Sequence, residues 1–239
     1  MNALASTKLT ATDSAILRHI ARYRLTVREV VARLPEFCRG TTAEIDVRLQ
    51  RLEKSGFIAT TWLYAERKCF ILTPKGAIRV RGSVTDRCAQ APFSEATKIR
   101  RFAALTFCCS TSTRRQRLTA AELAEQVTGV NGSDADTPYY ISLDEAPTRV
   151  GFLRVDLGGH GRWDRILAKC QQDVRDHAND PNWSPWIVSN RFEVTLVTAL
   201  PQKAERLQRE LSQQEHPPPI PVRITAIPEL LYLIAPPPA

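Results

Sequence analysis

Apolar side chains recur every three or four positions in three short stretches between residues 10 and 55, the spacing that places them on one face of a helix. A threonine precedes each stretch and an acidic residue follows it by three positions, a pattern typical of an N-terminal capping box. The three pairs are Thr10 with Asp13, Thr26 with Glu29, and Thr41 with Glu44. Gly56 then offers the left-handed conformation in which many helices end. The pattern predicts three short helices, the last of which ends at Gly56.

The spacing of the apolar residues changes after Gly56. The segments "FIATTWLY" and "CFILT" predict two strands joined by the charged turn "AERK", and "TPKGAIRV" predicts a further helix with Pro74 near its first turn. Three helices followed by a β-hairpin is the order of a winged helix-turn-helix. We therefore predict a winged helix-turn-helix DNA-binding domain over residues 1–82.

The third predicted helix is the candidate reader of DNA, because the corresponding helix of a helix-turn-helix enters the major groove. Ile45, Leu49 and Leu52 form its apolar face, which leaves the other positions facing outward. Arg and Gln suit base edges, and Lys suits phosphates. The predicted DNA-binding residues of this helix and of the hairpin are Thr42, Ala43, Val47, Arg48, Gln50, Arg51, Lys54, Arg67 and Lys68. Asp46 on the same helix favours the alternative, a winged helix that contacts protein, because a carboxylate repels phosphate.

The second half of the chain has a different organisation. Residues 83–95 have little periodicity and predict a linker, "ATKIRRFAALTFCC" and "LTAAELAEQV" predict helices, and Arg114, Arg115 and Arg117 are expected in a loop between them. From Tyr139 the pattern is strand, strand, helix, strand, helix, strand. This order predicts a mixed sheet flanked by helices over residues 96–239, compatible with a restriction-endonuclease-like core. The expected fold class is therefore α+β or α/β.

Charge is distributed unevenly along the chain. Residues 1–119 have a net charge of +13 and residues 120–239 a net charge of −5, which together give +8. A strongly basic half suggests a polyanionic partner, and double-stranded DNA is the partner we expect. Candidate phosphate contacts, with plain solubility as the alternative, are Lys98, Arg100 and Arg101 and the loop residues Arg114, Arg115 and Arg117. The acidic half is expected to serve homodimerisation, a partner protein or non-catalytic contact with DNA.

Several segments resemble the replication-relaxation family of plasmids and integrative elements. They are "RLQRLEKSGFI", "FILTPKGA", "FEVTLVTALPQKAERLQREL" and "VRITAIPELL", so that the resemblance extends over nearly the whole chain. In that family a winged-helix module precedes a domain similar to PD-(D/E)xK nucleases. The resemblance implies a sequence-specific DNA-binding protein of a mobile genetic element that acts as a transcriptional regulator or as an accessory factor in replication or transfer.

The residues of a PD-(D/E)xK site are only partly present. Such a site needs an acidic residue near one strand and an acid-x-Lys on the next, because carboxylates hold Mg²⁺ and the lysine supports the attacking water. Here Arg154 stands at the acid position and Asp156 at the lysine position, and we expect the two to pair with each other. We therefore predict no enzyme activity, metal ion or cofactor. The alternative is a metal-dependent DNA nuclease guided by the winged helix, with Asp144, Asp156 and Lys169 as its catalytic residues.

Location is inferred from what the sequence lacks. It has no run of eighteen apolar residues, so no membrane partner is expected. The first residues, "MNALASTKLTATD", have neither the basic nor the apolar region of an export signal. The six cysteines form no C-x-x-C pair, so a zinc site is not expected. These features predict a cytoplasmic protein.

Overall fold

The structure is a computed structural model that describes residues 9–37, 41–65, 67–81, 93–110, 113–130, 137–158, 163–214 and 218–235. The chain divides into two compact units, Met1–Pro92 and Phe93–Ala239. A two-stranded sheet belongs to the first unit and a five-stranded mixed sheet to the second, each combined with helices. The fold is therefore of the mixed α and β class. None of the helices in these ranges is long and apolar enough to cross a membrane.

The first unit consists of short helices and one antiparallel hairpin. Its elements are α1 (Ala11–Tyr23), α2 (Arg28–Val31), a 3-10 turn (Pro35–Phe37), α3 (Thr42–Lys54), β1 (Ile58–Tyr64), β2 (Arg67–Leu72) and α4 (Pro74–Arg81). The strands pair antiparallel from Ile58 opposite Leu72 to Tyr64 opposite Arg67, with a bulge after Trp62. The turn between the strands is shorter than the predicted "AERK" segment, because Arg67 and Lys68 already belong to β2.

Two of the three predicted capping boxes of this unit are confirmed. The Thr10 hydroxyl accepts a hydrogen bond from the Asp13 backbone N–H at 3.1 Å, and the Thr41 hydroxyl accepts one from the Glu44 N–H at 3.3 Å. The acidic side chain of each pair accepts a hydrogen bond in return from the threonine N–H. Helix α3 ends as expected next to Gly56, whose φ is +71°.

The predicted capping box of Thr26 and Glu29 is wrong. Helix α2 begins after Val27, and no side chain caps it. Thr26 instead exchanges two backbone hydrogen bonds with Phe70 of β2, at 2.9 and 2.8 Å, and its hydroxyl lies 3.1 Å from His19 Nε2. A residue held in this bridge cannot also place its hydroxyl at the helix start. The segment between α1 and α2 therefore pairs with the hairpin.

One hydrophobic cluster holds the first unit together. It is formed by the apolar faces of α1, α2, α3 and the hairpin, and its members are Ile16, Leu17, Ile20, Ala21, Val31, Phe37, Ile45, Leu49, Leu52, Phe57, Ile58 and Leu72. The predicted buried face of α3 is confirmed, since Ile45, Leu49 and Leu52 are all at most 2% exposed. The opposite face of α3 is consequently directed away from this core.

The second unit is built around the five-stranded sheet. Its elements are α5 (Glu95–Cys109), β3 (Arg115–Arg117), α6 (Ala120–Gln126), β4 (Tyr139–Ser142), β5 (Arg149–Val155), α7 (Trp163–Asn179), α8 (Ser184–Val188), β6 (Phe192–Thr198), α9 (Pro201–Ser212), β7 (Val222–Ala226), a 3-10 turn (Pro228–Leu230) and α10 (Leu231–Ile234). The strand order is β3-β4-β5-β6-β7. The first two pairings are antiparallel, and β5-β6 and β6-β7 are parallel.

Three features of this unit differ from the prediction. Arg115–Arg117 form the edge strand β3 rather than a loop, because their backbone pairs with β4. The short helix α8 precedes β6 and has no counterpart among the predicted elements. The last residue of the predicted linker, Glu95, is helical, since it begins α5 after the capping residue Ser94.

The two faces of the sheet are covered differently. One cluster joins Phe192, Val194 and Leu196 of β6 to Val174 of α7 and Leu207 of α9. The alternate β6 residues face the other side. There Glu193 accepts a 2.5 Å hydrogen bond from the Tyr140 hydroxyl, and the Tyr140 ring packs edge-on against Phe107 of α5. Helices α7 and α9 therefore cover one face of the sheet and α5 covers the other.

Gly151 lies where the Tyr140 ring contacts the backbone of β5 on the α5 face of the sheet. It lies in β5 between Tyr140 and Glu193 in register, and a Cβ built on it would collide with the Tyr140 ring. The ring cannot easily withdraw, because its hydroxyl is hydrogen bonded to both Glu193 and Thr195.

We therefore expect Gly151→Ala to lower the free energy of unfolding by about 1–3 kcal/mol, the usual cost of overpacking a core. Urea denaturation followed by circular dichroism measures this change. Val188→Ala, at a side chain that is 84% exposed, is the control and should alter stability little. Equal stability of Gly151→Ala and the native chain would show that this contact relaxes at no cost.

Candidate functional site

The outward face of α3 is the candidate surface of the first unit. All but one of its predicted DNA-binding residues are exposed: Thr42, Ala43, Val47, Gln50, Arg51 and Lys54. Arg48 is half-buried. Val47 lies among them with 65% of its surface exposed, an unusual position for a large apolar residue. The structure therefore brings the predicted α3 residues together on one accessible surface.

The two arginines of this surface contact α1. Arg51 forms an ion pair with Asp13, and an Arg48 nitrogen lies 3.7 Å from the other Asp13 oxygen. Asp13 is fully buried, whereas the side chain of Arg48 is 34% exposed and that of Arg51 is 43% exposed. Burial raises the pKa of Asp13, but hydrogen bonds from Thr10 and Arg51 outweigh it and hold the pKa below its ordinary value of 3.8. The carboxylate thus stays charged and fixes the Arg51 guanidinium by a hydrogen bond, whereas Arg48 interacts with it electrostatically and donates a 3.4 Å hydrogen bond to the Thr10 hydroxyl.

The flanks of the α3 surface carry further ion pairs. Asp46, the residue expected to repel phosphate, pairs with Arg28 of α2 at 2.6 Å, so that its charge is compensated. On the hairpin, Arg67 contacts Glu29 at 3.3 Å. The Lys68 ammonium lies over the exposed Trp62 ring at 5.4 Å from its centroid. Of the two predicted hairpin contacts, Lys68 is the one without a carboxylate partner among the described residues.

A cavity of about 580 Å³ lies in the second unit at the carboxyl end of β5. Its walls come from α5, from β3, from the residues that precede β4 and from the beginning of α7. This is the end of the sheet at which Pro138, which precedes β4, accepts a hydrogen bond from Leu153 of β5. The predicted residues Arg100, Arg101, Asp156 and Lys169 line the cavity. Lys98 does not line it and pairs with Glu95 at 2.8 Å.

The charged side chains around this cavity are nearly all basic. Six cationic residues line it: Arg100, Arg101, Arg117, Arg154, Arg165 and Lys169. Asp156 is the sole acidic residue among the described lining residues. The local charge is therefore opposite in sign to the net charge of the C-terminal half.

The expected pair of Arg154 with Asp156 is wrong. Arg154 forms a two-pronged ion pair with Asp173 of α7, in which its Nε donates at 2.6 Å and its terminal nitrogen contacts the other oxygen. Hydrogen bonding to Asp173 raises the pKa of Arg154, so that this residue remains a cation. Residues two apart on a strand face the same side of the sheet, which is why the pair was expected. A carboxylate on a helix packed against that side can form two hydrogen bonds with a guanidinium, and this bidentate contact is the stronger one.

Asp156 has its own cationic partner on α9. Its carboxylate lies 2.5 Å from the Lys203 ammonium and also accepts hydrogen bonds from the Gly158 N–H at 2.9 Å and from the Thr198 hydroxyl at 3.3 Å. Both residues are buried, with 4% exposure for Asp156 and 8% for Lys203. This carboxylate therefore ties β5, β6 and α9 together.

The alternative catalytic set is not assembled in one place. Asp144 follows the far end of β4, where its carboxylate accepts a hydrogen bond from the Arg114 N–H at 2.6 Å. Asp156 follows the end of β5 that pairs with the beginning of β4. No group of three His, Cys, Asp or Glu side chains that could hold a metal ion occurs among the described residues.

Sequence reasoning missed three residues at or next to the cavity: Arg165, which lines it, and Asp173 and Lys203, which pair with Arg154 and Asp156. Arg165 had a local signal, since it stands four residues before Lys169 and so shares its helix face. The other two become relevant only through contacts between distant segments. Lys203, for example, pairs with a carboxylate 47 residues earlier in the chain.

Comparisons with known proteins identified no relative: no family model, no curated protein and no solved structure matches the chain.

The charged state of Asp13 makes stability depend on pH. Because its pKa is lowered in the folded state, its contribution is present above the ordinary value of 3.8 and is lost as pH falls below it. We expect Asp13→Asn to lower the free energy of unfolding by about 1–2 kcal/mol at neutral pH, through loss of the cap and its ion pairs. The variant should also lose less stability than the native chain between about pH 6 and pH 3.

Denaturant unfolding at both pH values measures this effect. Glu44→Gln makes the same charge change in the exposed capping box of α3 and is the matched control. Parallel pH dependence of Asp13→Asn and the native chain would contradict a stabilising role for the charged form of Asp13.

Proposed function

We propose that the chain is a sequence-specific DNA-binding protein whose first unit acts as a winged helix-turn-helix. The observation that carries the proposal is the outward surface of α3. Its centre consists of Ala43, Val47, Gln50 and Lys54, all exposed and none acidic. Small and uncharged side chains allow a helix to approach base edges closely, and a lysine at the end of the row is suited to a phosphate.

The arrangement around α3 supports this proposal. Helix α2 precedes α3, and the hairpin that follows carries Lys68. The bridge between Thr26 and Phe70 adds a third extended segment to the hairpin. A helix pair followed by a small sheet of this kind is the arrangement expected for a wing beside a recognition helix.

The arginines have a more limited role in this proposal than their charge suggests. Their contacts with Asp13 hold Arg48 and Arg51 at one edge of the α3 surface. A guanidinium held this way presents its remaining donors in a fixed direction, which suits a phosphate beside the groove. We therefore assign base reading to Gln50, and positioning on the backbone to Arg48, Arg51, Lys54 and Lys68.

We propose that the second unit is a non-catalytic domain of the restriction-endonuclease-like type, as the resemblance to the replication-relaxation family implies. The order β3-β4-β5-β6, with two antiparallel pairings and then a parallel one, is compatible with such a core. Where a nuclease of this type holds metal ions, Arg154 carries a positive charge, which repels a cation. The resemblance also suggests a role in transcription, replication or transfer of a mobile element.

The α3 surface is tested with two variants and a control. Lys54→Gln should weaken binding to all duplexes similarly and reduce the salt slope by about one unit, because one phosphate contact is lost. Gln50→Ala should weaken binding to the selected site by about 1–3 kcal/mol and relax its specificity. Fluorescence anisotropy with a site obtained by selection from random duplexes measures both effects.

Arg79→Gln is the matched control, since Arg79 is an exposed cation on α4 of the same unit. It removes the same charge without altering the α3 surface. If Lys54→Gln and Gln50→Ala bind duplex DNA as the native chain does, the contact surface lies elsewhere.

The absence of nuclease activity is tested on the same DNA. We expect supercoiled plasmid to remain intact with the native protein in Mg²⁺ or Mn²⁺. Asp156→Ala should instead destabilise the chain by about 3–5 kcal/mol, because it leaves the buried Lys203 ammonium without its carboxylate. Chemical denaturation measures this loss, and Asp164→Ala, which removes an exposed acid of α7, is the control. Plasmid cleavage that disappears in a folded Asp156→Ala protein would establish the nuclease alternative.

A further inference from the structure

Cationic side chains converge on the cavity of the second unit from separate elements. Arg100 and Arg101 come from α5, Arg117 from β3, Arg154 from β5, and Arg165 and Lys169 from α7. These positions span about seventy residues of the sequence, so that no local run of basic residues produces the cluster. Its formation depends on the tertiary fold.

Three of these cations are not used to hold the fold. Arg100, Arg165 and Lys169 are exposed and have no carboxylate partner among the described residues. Arg165 and Lys169 are four residues apart on α7, where two like charges destabilise a helix slightly. Together with Arg100 across the cavity they form a triad of cations without a stabilising role. Such an arrangement indicates a site for an anion.

The single acidic residue of the described lining does not neutralise the triad. The Asp156 carboxylate is already paired with Lys203 at 2.5 Å, and Arg154 is paired with Asp173. These two pairs cancel their own charges, which leaves the positive charge of Arg100, Arg165 and Lys169 without a compensating carboxylate among the described lining residues. A cavity with this positive charge attracts an anion and repels a metal ion.

We propose that this cavity is a phosphate-binding site that needs no metal ion, with Arg100, Arg165 and Lys169 as its principal ligands. Guanidinium groups bind phosphate through paired hydrogen bonds, and several cations match a group that bears up to two negative charges. A volume of about 580 Å³ is larger than one phosphate needs. Phe152, Leu153 and Ile166 supply apolar wall, which suits the nucleoside part of a nucleotide.

The phosphate has two possible sources: a nucleic-acid strand or a free nucleotide. The proposal stands independently of the α3 surface, because all its residues belong to the second unit. The two proposals are therefore separable by experiment. Variants of the cavity test this site, and Lys54→Gln tests the other.

The test uses the full chain and a fluorescein-labelled single strand of about twelve nucleotides, at low salt and with EDTA present. We expect the double variant Arg165→Gln with Lys169→Gln to bind the strand at least about tenfold more weakly than the native chain. Its salt slope should fall by about 1.4, the amount for two phosphate contacts on a single strand. Arg100→Gln should weaken binding in the same direction.

The matched control is Arg175→Gln. Arg175 is an exposed cation on α7 that does not line the cavity. This variant should bind as the native chain does. Circular dichroism establishes that each variant is folded.

Competition distinguishes the two sources of phosphate. Unlabelled strand, a nucleoside 5′-monophosphate, inorganic phosphate and polyglutamate are each titrated against the labelled strand. If the unlabelled strand displaces the labelled strand at a far lower concentration than the monophosphate does, the site is assigned to nucleic acid. If the labelled strand does not bind, titration calorimetry with the monophosphate decides, and binding that the double variant loses assigns the site to a free nucleotide.

Three results would overturn the proposal. The first is that the double variant binds the strand and the monophosphate as tightly as the native chain does, or that the native chain binds neither of them. The second is displacement by polyglutamate as effective as displacement by strand, because the cavity would then select charge alone. The third is binding that requires Mg²⁺.

Discussion

The parallel pairing of β5 with β6 is the constraint on which the second unit depends. Two parallel neighbours need a crossover that returns the chain to the starting edge, and α7 is the longer of the two helices in it. The crossover carries the first turns of α7 past the carboxyl end of β5, which brings Arg165 and Lys169 to the cavity. The second crossover, through α9 to β7, brings Lys203 to Asp156. The cavity is therefore a consequence of the sheet topology.

The three buried carboxylates among the described residues of this unit are all paired with cations, and their pairing explains why the cavity remains basic. Asp156 is matched by Lys203, Asp173 by Arg154, and Glu193 by Arg149 and Arg223 at 3.4 and 3.2 Å. A buried charge without a partner costs several kcal/mol, so that each interior carboxylate needs a cation or donors nearby. Arg100, Arg165 and Lys169 are exposed and escape this requirement, because water solvates them.

At the α3 surface of the first unit, in contrast to the exposed cations of the cavity, the arginines contact a buried carboxylate. A fully buried carboxylate, Asp13, both caps α1 and holds Arg51 and Arg48. The same residue thus belongs to the helix start and to the boundary of the exposed surface. Charge at this surface is consequently tied to the stability of the unit, whereas the cations Arg100, Arg165 and Lys169 are available for a ligand. Net charge alone does not distinguish these two situations.

The sequence by itself determined the elements whose signals are local. The capping boxes at Thr10 and Thr41, and the buried face of α3, depend on residues within one or two turns, and the structure has them where the spacing predicted. The tertiary structure alone decided the bridge of Thr26 with Phe70, the edge strand β3, and the partners of Arg154 and Asp156. Each of these depends on residues 19 to 47 positions apart in the chain, and only the tertiary packing selects among the possible partners.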